Sequence, residues 1–219
     1  MLCKILHLND ETLSDIANSE ETELCKIMNG HGSDKGSGHH NYTKLYSKLF
    51  SDIRNEKLNI LEIGIGSVNP SIVSNMCGCR SYKPGSSQRG WRDYFPNATV
   101  YACDIDKDIL NFDDPRIKGF YMDQRDTQGI IQKFYIGDLK DVMFDIIIDD
   151  GLHAFDVNWM VMKVLLSKLS KGGIYIIEDL LDFNPNKSEP IQGYQWKYLR
   201  LPNRHNNVDN NLILATQNI

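Results

Sequence analysis

The sequence predicts an α/β fold: a mostly parallel, seven-stranded sheet with helices on both faces, preceded by a short helical N-terminal cap. Two observations carry this. Five short apolar runs recur between residues 59 and 179, and stretches of helical character separate them. Near-continuous apolar strands alternating with helices are the pattern of a parallel sheet covered on both sides. The chain has 219 residues, 41% of them hydrophobic and 24% charged, which suits one globular domain with a sizeable core.

Residues 10–29 read as helical, with Leu13, Ile16, Ala17, Leu24, Ile27 and Met28 spaced among acids. The glycine-rich stretch Gly30-His31-Gly32-Ser33-Asp34-Lys35-Gly36-Ser37-Gly38 is loop. Asn41-Tyr42-Thr43 opens a second helix carrying Leu45, Tyr46, Leu49 and Phe50 on one side. Residues 1–44 thus form a cap or lid segment, and residues 45–219 the main domain. Asp34, Lys35, His40 and Tyr42 make a polar cluster after flexible glycines, suited equally to a lid and to a solvated loop. The strands follow as Asn59-Ile60-Leu61-Glu62-Ile63-Gly64, Thr99-Val100-Tyr101-Ala102-Cys103-Asp104, a weaker Ile117 to Met122, Phe144-Asp145-Ile146-Ile147-Ile148-Asp149-Asp150 and Gly173-Ile174-Tyr175-Ile176-Ile177-Glu178-Asp179. Helices are expected near 87–95, 126–134 and 155–170. Trp91, Tyr94 and Phe95, and likewise Trp159, Met162 and Leu166, fall at core spacing. Trp196-Lys197-Tyr198-Leu199-Arg200 and Asn211-Leu212-Ile213-Leu214-Ala215-Thr216 pair as a closing hairpin.

The net charge of −5 argues against a nucleic-acid partner held through phosphates. No apolar run approaches the roughly 20 residues of a membrane span, so no membrane partner is expected. The start, Met1-Leu2-Cys3-Lys4-Ile5-Leu6-His7-Leu8-Asn9-Asp10, turns acidic too soon for a signal peptide. Cys3, Cys25, Cys77, Cys79 and Cys103 are odd in number and scattered, which fits a reducing compartment and a cytoplasmic location. Cys77-Gly78-Cys79 is half of a zinc motif without its other half, and reads as two free thiols.

Asp104, Asp150, Glu178 and Asp179 all stand where a strand stops. Open parallel sheets bind ligands at those ends; helix capping is the plainer alternative for any single acid. Leu61-Glu62-Ile63-Gly64-Ile65-Gly66 places G-x-G after the first strand, where glycines admit a nucleotide-like ligand close to the backbone. Asn69 stands where a dinucleotide fingerprint has its third glycine. Glu62 ahead of the glycines favours S-adenosylmethionine (SAM) over a dinucleotide, and a carboxylate at Asp104 can accept both ribose hydroxyls.

Together these runs resemble a class I SAM-dependent methyltransferase of Rossmann-like fold. More narrowly, the chain resembles the macrocin and mycinamicin sugar O-methyltransferases, with cephalosporin hydroxylase-like proteins as more distant relatives. Further matching pieces are Ser33-Asp34-Lys35-Gly36 with His40-Asn41-Tyr42-Thr43, Lys83-Pro84-Gly85-Ser86-Ser87 with Arg89-Gly90-Trp91-Arg92-Asp93-Tyr94-Phe95-Pro96, Asp123-Gln124, Gly172-Gly173 and Val208-Asp209-Asn210-Asn211-Leu212. The resemblance implies that Glu62, Gly64 and Gly66 form the SAM loop and that Asp104 holds the ribose. It places Asp123 and Gln124 by the adenine, and Ser87 at the helix start facing the SAM carboxylate. It maps a metal site to Asp150, Glu178 and Asp179. Three close carboxylates repel one another unless a hard cation such as Mg²⁺ joins them; caps or a salt bridge to lysine or arginine are the alternative.

His153 lies three residues past Asp150. A metal can polarise a sugar hydroxyl while an imidazole takes its proton; a backbone-bonding turn histidine is the plainer reading. Asp149 is open among three roles: facing SAM's amino group, supporting the metal, or stabilising the turn. His39 and His205 carry no argued role. Residues 67–85 form a long insertion between the glycine loop and its helix. The expected function is metal-dependent O-methylation of a sugar hydroxyl on a glycan or glycosylated small molecule. The alternatives are another, catechol-like hydroxyl, a non-catalytic SAM-fold subunit, or, as an outlier, a hydroxylase. The relatives suggest homo-oligomeric assembly.

Overall fold

The computed structural model describes residues 4–5, 7–77, 79, 81–183, 185, 188–204, 206 and 208–218. Cys3, Gly78 and His205 lie outside them. The elements run α1 (Asp10–Asn18), α2 (Glu23–His31), α3 (Tyr42–Phe50), β1 (Asn59–Ile63), α4 (Ser86–Tyr94), β2 (Thr99–Asp104), β3 (Ile117–Tyr121), α5 (Thr127–Ile131), β4 (Phe144–Asp149), α6 (Phe155–Leu165), β5 (Leu169–Glu178), β6 (Tyr194–Arg200) and β7 (Asn211–Gln217).

The strands form one sheet in the order β3-β2-β1-β4-β5-β7-β6. The first five are parallel; β7 and β6 run antiparallel, as the expected hairpin. Successive strand residues point to opposite faces, so each strand feeds two cores. Ile60, Val100, Ile146, Ile148 and Ile176 pack under α1 to α4. Leu61, Ile63, Tyr101, Ile147, Tyr175 and Ile177 pack under α5 and α6. Leu13, Leu24, Leu45 and Tyr46 belong to the first of these cores, so the N-terminal helices share it with the sheet.

The single helix expected over 10–29 is two helices. Asn9 accepts from Thr12 N at 2.8 Å to start α1, and Thr22 accepts from Cys25 N at 3.2 Å to start α2. Side-chain caps of this kind satisfy backbone donors that the helix leaves open. The Ser19 hydroxyl closes α1 by donating to Ile16 O. The helix predicted near 126–134 is a short α5 followed by a π-helical turn, Gln132–Ile136, that ends at Gly137. β5 begins four residues earlier than expected, with a register shift against β4 near Phe144. Among the described residues, no helix is long and apolar enough to cross a membrane. Cys77 and Cys79 are exposed free thiols, whereas Cys25 and Cys103 are buried.

Candidate active site

The carboxyl ends of β1, β2 and β4 are knitted by backbone bonds: Gly64 N donates to Cys103 O at 2.8 Å and Asp150 N to Ile63 O at 2.9 Å. Gly64 has φ of +82°, and a Cβ there would lie 2.2 Å from Asp150 O. Gly66, with φ of +77°, would bring a Cβ within 2.6 Å of the Tyr82 hydroxyl. Both positions therefore demand glycine, for backbone sign and for space. Asp104 closes the loop from the side. Its Oδ2 accepts from Ile65 N and its Oδ1 from Asp106 N, each at 2.9 Å. Burial raises its pKa against those donors.

Glu62 is fully buried, and its Oε2 accepts from Gln88 Nε2 at 2.6 Å and Trp91 Nε1 at 2.9 Å. That oxygen ties α4 to β1 beneath the loop, while Oε1 lies 3.3 Å from Lys35 Nζ. Burial, opposed by Lys35, pushes the carboxyl up to about 7. Ser87 is buried in the first turn of α4. Asp123 stands past the end of β3, ion-paired with Arg125 at 3.1 Å. Gln124 is buried; it donates to Asp149 Oδ1 at 2.7 Å and accepts from Leu152 N at 2.7 Å. Asn158 and the Tyr175 hydroxyl also donate to Asp149, at 2.9 and 3.0 Å. Burial pushes Asp149 up to about 6 against these donors. Through Gln124, Asp149 is tied to the turn that follows β4.

Beyond Asp149 the acids gather. One ligand atom from each of Asp150, His153 and Asp179 lies within 4.8 Å of the others. His153 Nε2 is 3.1 Å from Asp150 Oδ1, and its Nδ1 is 3.1 Å from the Asn75 amide, which arrives from the 67–85 insertion. Asp179 accepts from the Tyr42 hydroxyl and lies 3.3 Å from His40 Nδ1. His153 and Asp179 both hold left-handed backbone, φ of 57° and 56°. Non-glycine residues in that region cost of order 1–3 kcal/mol and concentrate at functional sites.

Glu178 joins this group only in part. It is fully buried and bonded by the Lys35 ammonium and the Tyr46 hydroxyl. The Lys35 ammonium bridges Glu178 to Asp150, whose other oxygen meets His153, so the three predicted acids remain gathered at the ends of β4 and β5. The electrostatics follow. Burial raises Asp150, but Lys35 and His153 outweigh it and hold the group well below the usual carboxylate range. Asp179 goes up to about 6, through burial and the charge of Asp150. Burial lowers His153, yet its bond to Asp150 and the charges of Asp150 and Asp179 push it up to about 9. A half-buried carboxylate, a buried one and an imidazole with ligand atoms this close form a donor set that fits a hard divalent cation.

Sequence reasoning missed Tyr46, Tyr82, Asn75 and the destination of Lys35. Tyr42 and Tyr46 were legible as a pair: at i and i+4 they share one face of α3, and both send hydroxyls to the end of β5. Lys35, between Asp34 and Gly36, carried no signal of burial.

No protein-family model matches the chain. It is 33% identical over 159 residues, 72% of the chain, to 8-demethyl-8-alpha-L-rhamnosyl tetracenomycin-C 2'-O-methyltransferase of Streptomyces olivaceus, covering 37% of that protein. It is 30% identical over 164 residues, 74% of the chain, to mycinamicin VI 2''-O-methyltransferase of Micromonospora griseorubida, again covering 37% of it. Among solved structures it resembles the MycE methyltransferase of the mycinamycin biosynthetic pathway in complex with Mg and SAH, with a TM-score of 0.59 and 26% identity over 79% of this chain and 48% of that one. The fold is that of the class I methyltransferases, and the chain belongs to the family of sugar O-methyltransferases that these relatives represent. The chain spans less than half the length of these relatives.

Proposed function

We propose that the chain transfers a methyl group from SAM to a sugar hydroxyl of a small glycosylated acceptor, with a divalent cation at Asp150 and Asp179. The observation that carries this is the contact between Gly64 and the Asp150 backbone. It sets the glycine loop, where a methyl donor would lie, directly against the strand end that holds the acids and His153. The relatives support the class of acceptor, and the Mg and SAH of the MycE complex support the two cofactors.

When bound, SAM supplies the transferable methyl group, and a hard cation supplies charge that polarises the acceptor hydroxyl and offsets the carboxylates around His153. The residues of the chain do the rest. Gly64, Gly66 and Asp104 hold the donor, with Asp123 and Gln124 at its adenine and the Ser87 end of α4 at its carboxylate. Asp150 holds His153 Nε2; with a cation on the carboxylates that otherwise keep the imidazole protonated, the neutral ring would offer Nδ1, now met by the Asn75 amide, to the acceptor proton as the acceptor oxygen bonds the methyl carbon. A bound SAM would supply the methyl carbon and keep the electron pair of the broken carbon–sulfur bond. Positioning contributes most of the rest of the rate.

The test is turnover of labelled SAM against a panel of glycosylated acceptors, with Mg²⁺ or with chelator. His153→Ala is expected to lower turnover by roughly 10²–10⁴, the usual contribution of a general base, with SAM still bound. Full turnover by that variant, or by the wild type in chelator with negligible metal content, overturns the proposed mechanism. Tight SAM binding with no turnover on any hydroxyl acceptor favours a non-catalytic subunit.

A further inference from the structure

The 67–85 insertion is tied down at its ends and reaches the base with its middle. At the start, the Ser67 hydroxyl donates to the buried Asp106, just past β2. Near the end, the Tyr82 hydroxyl donates to Ile65 O at 3.1 Å, and Gly85 N to the same oxygen at 3.0 Å. Both anchors lie at the glycine loop. Between them the backbone closes local turns: Ile72 N donates to Asn69 O at 3.0 Å and Cys77 N to Ser74 O at 3.2 Å. Among the described residues between Ser67 and Tyr82, one hydrogen bond leaves the insertion. It joins the exposed Asn75 amide to His153 Nδ1 at 3.1 Å.

That bond completes the imidazole. A histidine ring has two nitrogens, each with one in-plane position for a donor or an acceptor. Nε2 has Asp150 Oδ1 at 3.1 Å, and Nδ1 has Asn75. A hydroxyl that reaches His153 therefore has to replace one of these two partners, and they are unequal. Asp150 is a carboxylate whose other oxygen is bonded by the buried Lys35 ammonium, and charge-assisted bonds of this kind are the strong ones. Asn75 is neutral, exposed and carried by a segment fixed only at its ends. Its bond is the one that yields.

We propose that Asn75 is a placeholder at the base: its amide keeps the position beside His153 Nδ1 that the acceptor hydroxyl takes over, and the insertion gives way there as the acceptor enters. The exchange rests on the function proposed above; the closed contact stands without it. One polar partner replaces another, so the ring nitrogen is not left without a hydrogen bond at either stage. The insertion thereby sets a condition on the acceptor, which has to bring a hydroxyl to Nδ1 and displace the amide.

Two measurements test this, both on the whole chain with Mg²⁺ present. The first needs no acceptor. Diethyl pyrocarbonate carbethoxylates accessible imidazole nitrogens, and its reaction at His153 is followed by peptide mass spectrometry in wild type, Asn75→Ala and Asn75→Leu. Labelling of His31, which pairs with Asp93 at 2.6 Å, is the reference for an intact fold. Both variants are expected to label at His153 about 2- to 10-fold faster than wild type, the worth of one neutral hydrogen bond. An alanine variant as slow as wild type means that the amide does not close the ring nitrogen. A leucine variant as slow as wild type means that bulk, and not the amide, shields the ring. Either result overturns the proposal. The second measurement uses the acceptor that the labelled-SAM panel selects. The acceptor KM of Asn75→Ala is expected to fall about 2- to 10-fold, because binding no longer displaces the amide. A side chain that merely props the ring would instead lower kcat and leave KM in place, and that pattern overturns the proposal. No turnover on any hydroxyl acceptor is the failure of the function proposed above, and the labelling then still decides whether the amide closes the base nitrogen.

Discussion

Replacing Gly64 by alanine tests whether the glycine loop and the Asp150 strand end form one unit. The added Cβ meets three backbone atoms: Asp150 O at 2.2 Å, Asp150 C at 2.7 Å and Gly151 Cα at 2.7 Å. None is the end of a flexible side chain, so relief requires the 150–151 backbone to retreat by about 1 Å to reach ordinary contact. The φ of +82° adds a second cost: a left-handed alanine is worth roughly 1–2 kcal/mol. Overpacking adds about 1–3 kcal/mol, for a total of about 2–5 kcal/mol. Gly172 separates the two contributions, because it has φ of +81° and no atom within 4 Å of the place a methyl would take; Gly172→Ala should lose only the left-handed cost. In urea unfolding, Gly64→Ala should lie clearly below Gly172→Ala. It should also impair turnover by about 10²-fold, the usual consequence of a 1 Å displacement near reacting groups. Equal stability of the two variants, with Gly64→Ala keeping wild-type affinity for SAM, refutes the reasoning.

Three further outcomes are expected. Asp104→Asn should weaken SAM binding in calorimetry about tenfold to hundredfold, since hydrogen bonds to a charged group are worth roughly 1.5–3 kcal/mol; an unchanged Kd would remove Asp104 from the donor site. Asp179→Asn should abolish the binding of the divalent ion proposed at Asp150 and Asp179, seen as loss of Mn²⁺ uptake with SAM affinity retained, and retained uptake would move the ion elsewhere. Glu62, raised from 4.5 to about 7 in the folded chain, binds its proton more tightly folded than unfolded. Its contribution to stability is therefore complete below pH 4.5 and lost as pH rises through 7, about 3 kcal/mol in all. Unfolding of wild type and Glu62→Gln at pH 4.5 and pH 8 should show the smaller pH loss in the variant; equal losses would mean that Glu62 does not titrate in this range.

The strand ends were legible because a parallel strand buried on both faces is apolar throughout, so an acid such as Asp104, Asp150 or Glu178 marks where burial against the helices stops. The glycines were legible for the complementary reason, since G-x-G after a strand has few uses other than close backbone approach. What the sequence hid were partners at long separation. Lys35 and Glu178 are 143 residues apart, and nothing local distinguishes a lysine that will be sealed under three carboxylates from one that will be solvated. The partners of Glu62 were hidden for a related reason. Its place before the glycines is legible, but the direction of its carboxylate depends on Gln88 and Trp91, which reach it from α4. Asn75 escaped notice because the insertion that carries it has no periodic pattern.

The left-handed residues indicate why the N-terminal segment and the acids belong together. The three non-glycine residues with positive φ among those described are Asn41, His153 and Asp179. Asparagine, aspartate and histidine tolerate this region better than other side chains, yet each still carries a cost that surrounding contacts must offset. Asn41 is held by donating to Pro202 O at 3.0 Å and accepting from Asn210 at 3.1 Å, which docks the start of α3 on the β6–β7 hairpin. That docking brings the Tyr42 hydroxyl to Asp179, Asp209 O and Asn211 O. Asp179 in turn bends away from Glu178, so that two consecutive acids serve two different sides of the site. A chain that ran through Asp179 in extended backbone would alternate the two carboxylates across the sheet and leave one of them in the wrong core. The left-handed turn keeps both at the strand end, one beside Lys35 and one beside His153, and it does so only with the cap segment in place.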